Sequence, residues 1–256
     1  MASGATVSQQ LIDALYRARR DGAEPVSAAN AEFDQDTALR VQLGVLDRFV
    51  KAGDALGGWK AALSSGTSRD MMGKDFRPFG YVLRSKIFRS GDRVSLRQMY
   101  QCRIEPELCV IMKAPLKGSV TAAEARRAVG AIAPAFEIND IRTRNEWGRP
   151  LLLADGLAQW GIVVGPHAPV RDGLQNTTVK FFTDDKLLAT ETPGELMDDP
   201  FLSLARMCGV LDRFGFGLEP GQPIITGAFC RSPVNGPGTF RAEFSGIGDV
   251  SITFEP

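Results

Sequence analysis

An α+β fold, helical at the N-terminus and mostly β thereafter, is predicted by three features of this 256-residue chain. Two amphipathic segments occupy the first 55 residues or so. Short β-branched or aromatic runs separated by glycine, proline and aspartate follow Gly57-Gly58, and the chain closes on three strand-like runs divided by turn signals.

Residues 8–21 (SQQLIDALYRARRD) repeat Leu11, Ile12, Leu15 and Ala18 on one helical face, with Ser8 placed as an N-cap and Gly22 just past the end. Asp36 to Ala52 does the same with Leu39, Leu43, Leu46 and Val50, so residues 1–56 read as a helical N-terminal cap and residues 57–256 as a β-rich domain. Strands are predicted in GYVL, IFRSGDRVSL, RIEPELCVIM, GIVVG, TTVKFF and VSITF. Two helices interrupt them: Thr121 to Ile132, opened by the T-x-x-E of Thr121 and Glu124, and Pro200 to Phe214, stopped by Gly215. From Gly221 to Pro256, QPIITGAF, TFRAEF and DVSITF are separated by NGPG and SGIGD, a series that suits a closed or rolled antiparallel sheet better than βαβ units. GFGLEPG at 215–221 follows a helix and precedes a strand, the wrong order for a nucleotide-binding loop.

Thirty basic and thirty acidic residues leave no surplus of either sign, so nothing points to nucleic acid or a charged macromolecular partner, and small-molecule chemistry is the expectation. Cys102, Cys109, Cys208 and Cys230 show no CxxC or Cys/His metal spacing and read as reduced core thiols. The N-terminus lacks a basic stretch followed by an apolar one, and the apolar run Leu151 to Val164 is interrupted by Asp155 and too short to span a bilayer. A cytoplasmic protein is expected.

The chemistry concentrates in Gln101 to Met112, QCRIEPELCVIM. In a strand, Arg103, Glu105, Glu107, Cys109 and Ile111 share one face, and Ile104, Leu108, Val110 and Met112 the other. Alone, Glu105 and Glu107 read as a strand face paired with Arg103. Glu137, embedded in APAFEINDIR, adds a third acid emerging from an apolar strand, and three such carboxylates make an oxygen-only site suited to Mg²⁺ or Mn²⁺. Lys60 in GGWKAALSS is either a surface lysine or a group that holds a substrate carboxylate or transfers a proton with a lowered pKa. Asp155 in LLLADGLAQWG reads equally as a site acid and as a turn former. His167, the one histidine, lies between two prolines with no carboxylate near it in sequence, and reads as a loop residue.

The order GWKAALSS, MMGKDFRPFGYVL, RIEPELCVIM, APAFEINDIR, LLLADGLAQWGIVVG, QPIITGAF, FSGIGDVSITF resembles the hydratase/decarboxylase branch of the fumarylacetoacetate hydrolase superfamily. The match runs from about residue 8 onward, and the ordered set is what makes it specific. The resemblance implies a mixed β-roll or barrel with a helical N-terminal part, and Mg²⁺ or Mn²⁺ held by Glu105, Glu107 and Glu137. It places Lys60 and Ser64 near the 2-oxo acid end of a substrate and Asp155 in the site. Three positions depart from the hydratase pattern: Pro78 replaces an aspartate, Gly156 an asparagine, and Asp198-Asp199-Pro200 a Gly-His-Pro.

The implied activity is that of a divalent-metal-dependent hydro-lyase of 2-hydroxy-2,4-dienoates in aromatic catabolism, working through an enolate. A 4-oxalocrotonate-type 2-oxo acid decarboxylase is the alternative, with Arg77 receiving a distal carboxylate. An acylpyruvase-type C–C hydrolase and a non-catalytic partner subunit stand behind these. Homo-oligomers and hydratase–decarboxylase complexes are further implications of the resemblance.

Overall fold

The computed structural model describes residues 4–23, 34–142 and 148–256. Two helices, α1 (Gly4–Asp21) and α2 (Gln35–Lys51), lead the chain. α1 begins upstream of Ser8, which therefore lies within the helix and does not cap it. Asp34 caps α2 by accepting the Thr37 N–H, and Leu39, Val45 and Leu46 bury against Leu11 and Leu15 of α1 in one core with Trp59 and Phe79.

Next come β1 (Leu56–Ala61), β2 (Phe79–Leu83), β3 (Ile87–Arg89), β4 (Arg93–Ser95) and the long β5 (Cys102–Met112). α3 (Ala122–Ala128), β6 (Val129–Asp140), α4 (Gly148–Ala154), β7 (Gln159–Val164), β8 (Val179–Thr183) and β9 (Lys186–Glu191) follow. The chain ends with α5 (Pro200–Asp212), β10 (Pro223–Ala228), β11 (Ser232–Pro233), β12 (Gly238–Phe244) and β13 (Gly248–Glu255).

The strands form two mixed sheets. One runs β2-β1-β10-β5-β6-β7-β3 with β11 paired to β5, and the other runs β4-β13-β12-β8-β9. Neither hydrogen-bonded path closes, and the three C-terminal strands do not stay together. β10, buried along nearly its whole length, enters the first sheet parallel to β1, because a strand with no polar face needs cover on both sides. β12 and β13 alternate buried and partly exposed residues and pair with each other in the second sheet.

The first sheet curls strongly, since Val82 of β2 packs with Cys109, Ala133, Ala135, Ile162 and Ile225 in a small apolar cluster on its concave face. The convex face joins the main core with the second sheet and the helices.

The helix expected over Thr121 to Ile132 is shorter. Thr121 and Glu124 do form the capping box, but α3 ends at Ala128 and Val129 begins β6. Pairing of β6 with β5 from Val129 to Asp140 outweighs the helical preference of an alanine-rich run. α5 starts at Pro200 on an Asp199 cap and ends before Gly215, whose φ is 81°. No described helix is long and apolar enough to cross a membrane.

Candidate active site

β5 and β6 pair with Glu105 directly opposite Glu137, and Glu107 projects from the same face one side-chain step further along. The sheet's curl brings β1 across from them. Oxygens of Glu105, Glu107 and Glu137 lie within 4.8 Å of one another, with Glu107 and Glu137 buried and Glu105 partly so. Lys60 of β1 places Nζ 2.6 and 2.7 Å from the two Glu137 oxygens.

β10 completes the wall. Its ladder to β5 is irregular between Ile225 and Ala228, and there the Gly227 N–H turns inward to donate to Glu107 Oε2 at 2.8 Å. Gly227 has φ 134°, and a Cβ at that position would stand 2.6 Å from Ser64 Oγ, so both backbone conformation and space demand glycine. Ser64 is itself buried and donates to the Thr226 carbonyl at 2.8 Å.

Burial raises the Glu107 carboxyl well above its ordinary value, and the Glu137 charge raises it further against the opposing pull of Lys60. Burial likewise lifts Glu137, to about 7, with Lys60 opposing and Glu105 adding to the rise. Burial works against the Lys60 ammonium too, but Glu137, then Glu105 and Glu107, overcome it and hold its pKa above the ordinary value. The lowered lysine pKa expected for a proton-transfer group is therefore not what this geometry gives: three carboxylates keep Lys60 charged.

One ammonium faces three carboxylates, leaving two negative charges uncompensated in a largely desolvated place. A hard divalent cation meets that deficit with the all-oxygen donors present, so the residues fit such an ion.

The trio opens into a cavity of about 780 Å³ whose wall includes Lys60, Ser64, Asn139, Leu152 and Leu157. Two expected site residues are not brought to it. Arg77 is fully buried, with Nε 2.7 Å from Asp198 and one terminal nitrogen 2.7 Å from Asp70, so its guanidinium serves an internal ion network and is out of reach of a substrate. Asp155 follows α4 and faces Arg142 at 3.2 Å, behind the cavity wall. Arg19 of α1 also reaches this spot and donates to the Asp155 and Gln159 carbonyls.

His167 lines a different opening, of about 920 Å³, with Arg84 and Glu219. That end of the curl holds no group of three carboxylates among the described residues.

The reading from sequence did not find Arg149, Arg231, Tyr100 and Gln101 on the cavity wall, nor a place there for Arg103, which it had set beside the two glutamates as a salt-bridge partner. Tyr100 and Gln101 are set by Asp140, whose Oδ1 accepts both backbone N–H groups. Arg231 arrives through the pairing of β11 with β5, a contact between segments far apart in sequence, and its Nε lies 3.4 Å from Glu105.

Three clustered carboxylates whose oxygens suit a hard cation, inside a curled mixed sheet, are thus what fold and side chains bring together. No protein-family model matches the chain. It is 28% identical over 219 residues to a 4-oxalocrotonate decarboxylase of a Pseudomonas species, covering 84% of this chain and 85% of that one. It is 26% identical over 218 residues to a 2-hydroxypent-2,4-dienoate hydratase of Pseudomonas putida, covering 82% and 98%. The solved 4-oxalocrotonate decarboxylase from Pseudomonas putida G7, complexed with magnesium and adipate, has the same fold, with a TM-score of 0.90, 22% identity and 99% of both chains covered. The chain's sequence is thus similar both to a decarboxylase and to a hydratase, and its fold is that of the solved decarboxylase.

Proposed function

We propose that this chain is a divalent-metal-dependent lyase of short 2-hydroxy-2,4-dienoic or 2-oxo acids, a hydratase in the first reading. The observation that carries it is the Glu105–Glu107–Glu137 trio, braced by Lys60, at the floor of a cavity large enough for a small acid. Glu105, Glu107 and Glu137 would hold Mg²⁺ or Mn²⁺. When bound, such an ion supplies Lewis acidity toward the 2-oxygen of the substrate, where negative charge develops in an enolate.

The chain's own groups do the rest. Lys60 balances the trio and presents a charged ammonium to the substrate's C1 carboxylate, holding its proton at Nζ. The Gly227 N–H orients Glu107 by fixing one of its oxygens. Ser64 Oγ, tied to the Thr226 carbonyl, sets the edge of the floor beside Gly227. Leu152, Leu157 and Met71 make the apolar side of the cavity, which limits water around the reacting chain. Asp155 acts through Arg142 as a positioning group behind this wall.

A 2-oxo acid decarboxylase is the second reading, favoured by the absence of an aspartate at Pro78 and of a histidine at Asp199, and by the similarity to 4-oxalocrotonate decarboxylases. Residues 1–56 are read as a helical cap on a β-roll body of residues 57–256, in a cytoplasmic homo-oligomer or a hydratase–decarboxylase complex.

Supplying the Mg²⁺-loaded protein separately with 2-hydroxypenta-2,4-dienoate and with 4-oxalocrotonate tests these readings. Conversion of the dienoate to a 4-hydroxy-2-oxo acid supports the hydratase. CO₂ release from the dicarboxylate alone replaces it with the decarboxylase, and inertness toward both removes the lyase reading.

A further inference from the structure

A hydratase must hold a water molecule beside its substrate, with one O–H fixed so that a lone pair points at carbon. That task needs an acceptor, and most polar groups of the cavity are committed or cannot accept. Glu105, Glu107 and Glu137 gather their oxygens around one point, Lys60 and the arginines of the wall only donate, and the Ser64 hydroxyl is turned to the Thr226 carbonyl. Tyr100, Gln101 and Thr67 are exposed.

Asn139 supplies the acceptor. It follows Glu137 by two residues on β6, so its side chain leaves the same face of the strand about 7 Å further along, opposite Arg103 of β5. Asn139 is only 4% exposed, yet it lines the cavity. An ionised carboxylate only accepts, so an amide beside it turns its NH2 group that way. Burial lifts the Glu137 carboxyl, and an Asn139 N–H is among the groups that oppose the rise. The amide oxygen then faces away from Glu137, and among the described residues no group donates to it. Ser65 is the other deeply set neutral side chain, but its hydroxyl rotates freely, whereas Glu137 fixes the amide.

We propose that Asn139 holds the attacking water in the hydration step, its amide oxygen accepting one O–H while its N–H stays on Glu137. This rests on the hydratase reading above. With the C1 and C2 oxygens of the substrate at the trio, C4 lies two bonds further out, within the strand step that separates Glu137 from Asn139. The 2-hydroxydienoate first ketonises by taking a proton at C5. The water oxygen then bonds to C4 while the C3–C4 π pair moves into a C2–C3 enolate. The proton shed by that water passes through solvent to C3, and the 4-hydroxy-2-oxo acid results. An amide is too weak a base to take this proton, so Asn139 orients the water and leaves the step unchanged.

Two rates on one substrate test this. The Mg²⁺-loaded full chain is given 2-hydroxypenta-2,4-dienoate in deuterated water and followed by NMR. Enzyme-dependent deuterium entry at C5 reports ketonisation, which consumes no water, and 4-hydroxy-2-oxopentanoate reports hydration. Asn139→Leu, of similar volume, is expected to slow hydration about a hundredfold while deuterium entry and Mg²⁺ affinity stay within about threefold. Asn139→Ser keeps an acceptor oxygen and is expected to lose only about tenfold. Hydration by Asn139→Leu at the wild-type rate overturns the assignment. So does a parallel fall of hydration, deuterium entry and Mg²⁺ affinity in a folded variant, which would put Asn139 in the service of Glu137 alone. If Asn139→Leu does not fold, the serine variant decides, and an unchanged ratio of hydration to deuterium entry overturns the water site. Deuterium entry without hydration in wild type overturns the hydratase reading and the water site with it.

Discussion

A carboxylate buried opposite another carboxylate is held there against its preference for water, and Glu137 shows the consequence most directly. Its pKa is about 7 in the folded chain against an ordinary 4.5. Between those values the folded chain holds more protons than the unfolded one, so metal-free stability falls as pH rises through this window. Glu107, also raised, adds in the same direction. A bound divalent cation neutralises both, so the gap in melting temperature between Mg²⁺- and EDTA-treated protein is expected to widen from about pH 5 to about pH 8. A gap that stays constant, or narrows, would remove the trio as the place where the ion binds. At this scale much was legible: strand alternation alone put Glu105 and Glu107 on one face. Arg77 was not, because the acid that claims it, Asp198, is 121 residues away and no local pattern announces it.

Among the elements, β5 is where pattern and structure agree best, and β10 where pattern fell short. The alternating acids of β5 mark its two faces, whereas PIITGA of β10 is apolar throughout and carries no sign of its partner. Its sheet and direction follow from long-range pairing with β1 and β5, which is why a closed or rolled antiparallel sheet of the three C-terminal strands was expected and they are found divided between two mixed sheets. The ladder irregularity at Gly227 is equally silent in sequence, yet it aims an N–H at Glu107 and leaves room for Ser64. Gly227→Ala is expected to destabilise the fold by about 1–3 kcal/mol through its φ and the collision with Ser64 Oγ. Because the strained residue orients Glu107, Mg²⁺ affinity should fall beyond what the loss of folded protein explains. Urea titration and calorimetry on the same samples separate these two effects. Unchanged stability together with unchanged affinity would show that the bulge is incidental.

Across the whole molecule, the helices at the start of the chain are joined to the cavity by polar side chains that a helical wheel assigns to solvent. Arg19 of α1, buried, donates to the Asp155 and Gln159 carbonyls at 3.0 and 2.7 Å, and its guanidinium lies 4.7 Å from the Tyr81 ring centre. Gln42 of α2, fully buried, donates to the Phe79 and Leu153 carbonyls. The four carbonyls belong to β2, α4, the turn after α4 and the first residue of β7, and Leu152 of α4 with Leu157 and Ala158 of that turn form cavity wall. Apolar contacts continue the connection, since Leu39 and Leu46 share a core with Trp59, whose ring packs edge-on against Phe79 and Phe216. Helices α1 and α2, built into the main core this way, have no separate core to melt. Near-ultraviolet signal from Trp59 and far-ultraviolet helix signal should therefore be lost together in urea. Arg19→Met leaves two buried carbonyls without a donor and removes a cation near Asp155, an expected cost of about 1–3 kcal/mol with the two transitions still coincident. An early helix-only transition in wild type, with Trp59 still native, would show that residues 1–56 fold apart from the body. It would also cut the proposed link between α1 and the wall that Asp155 and Arg142 support.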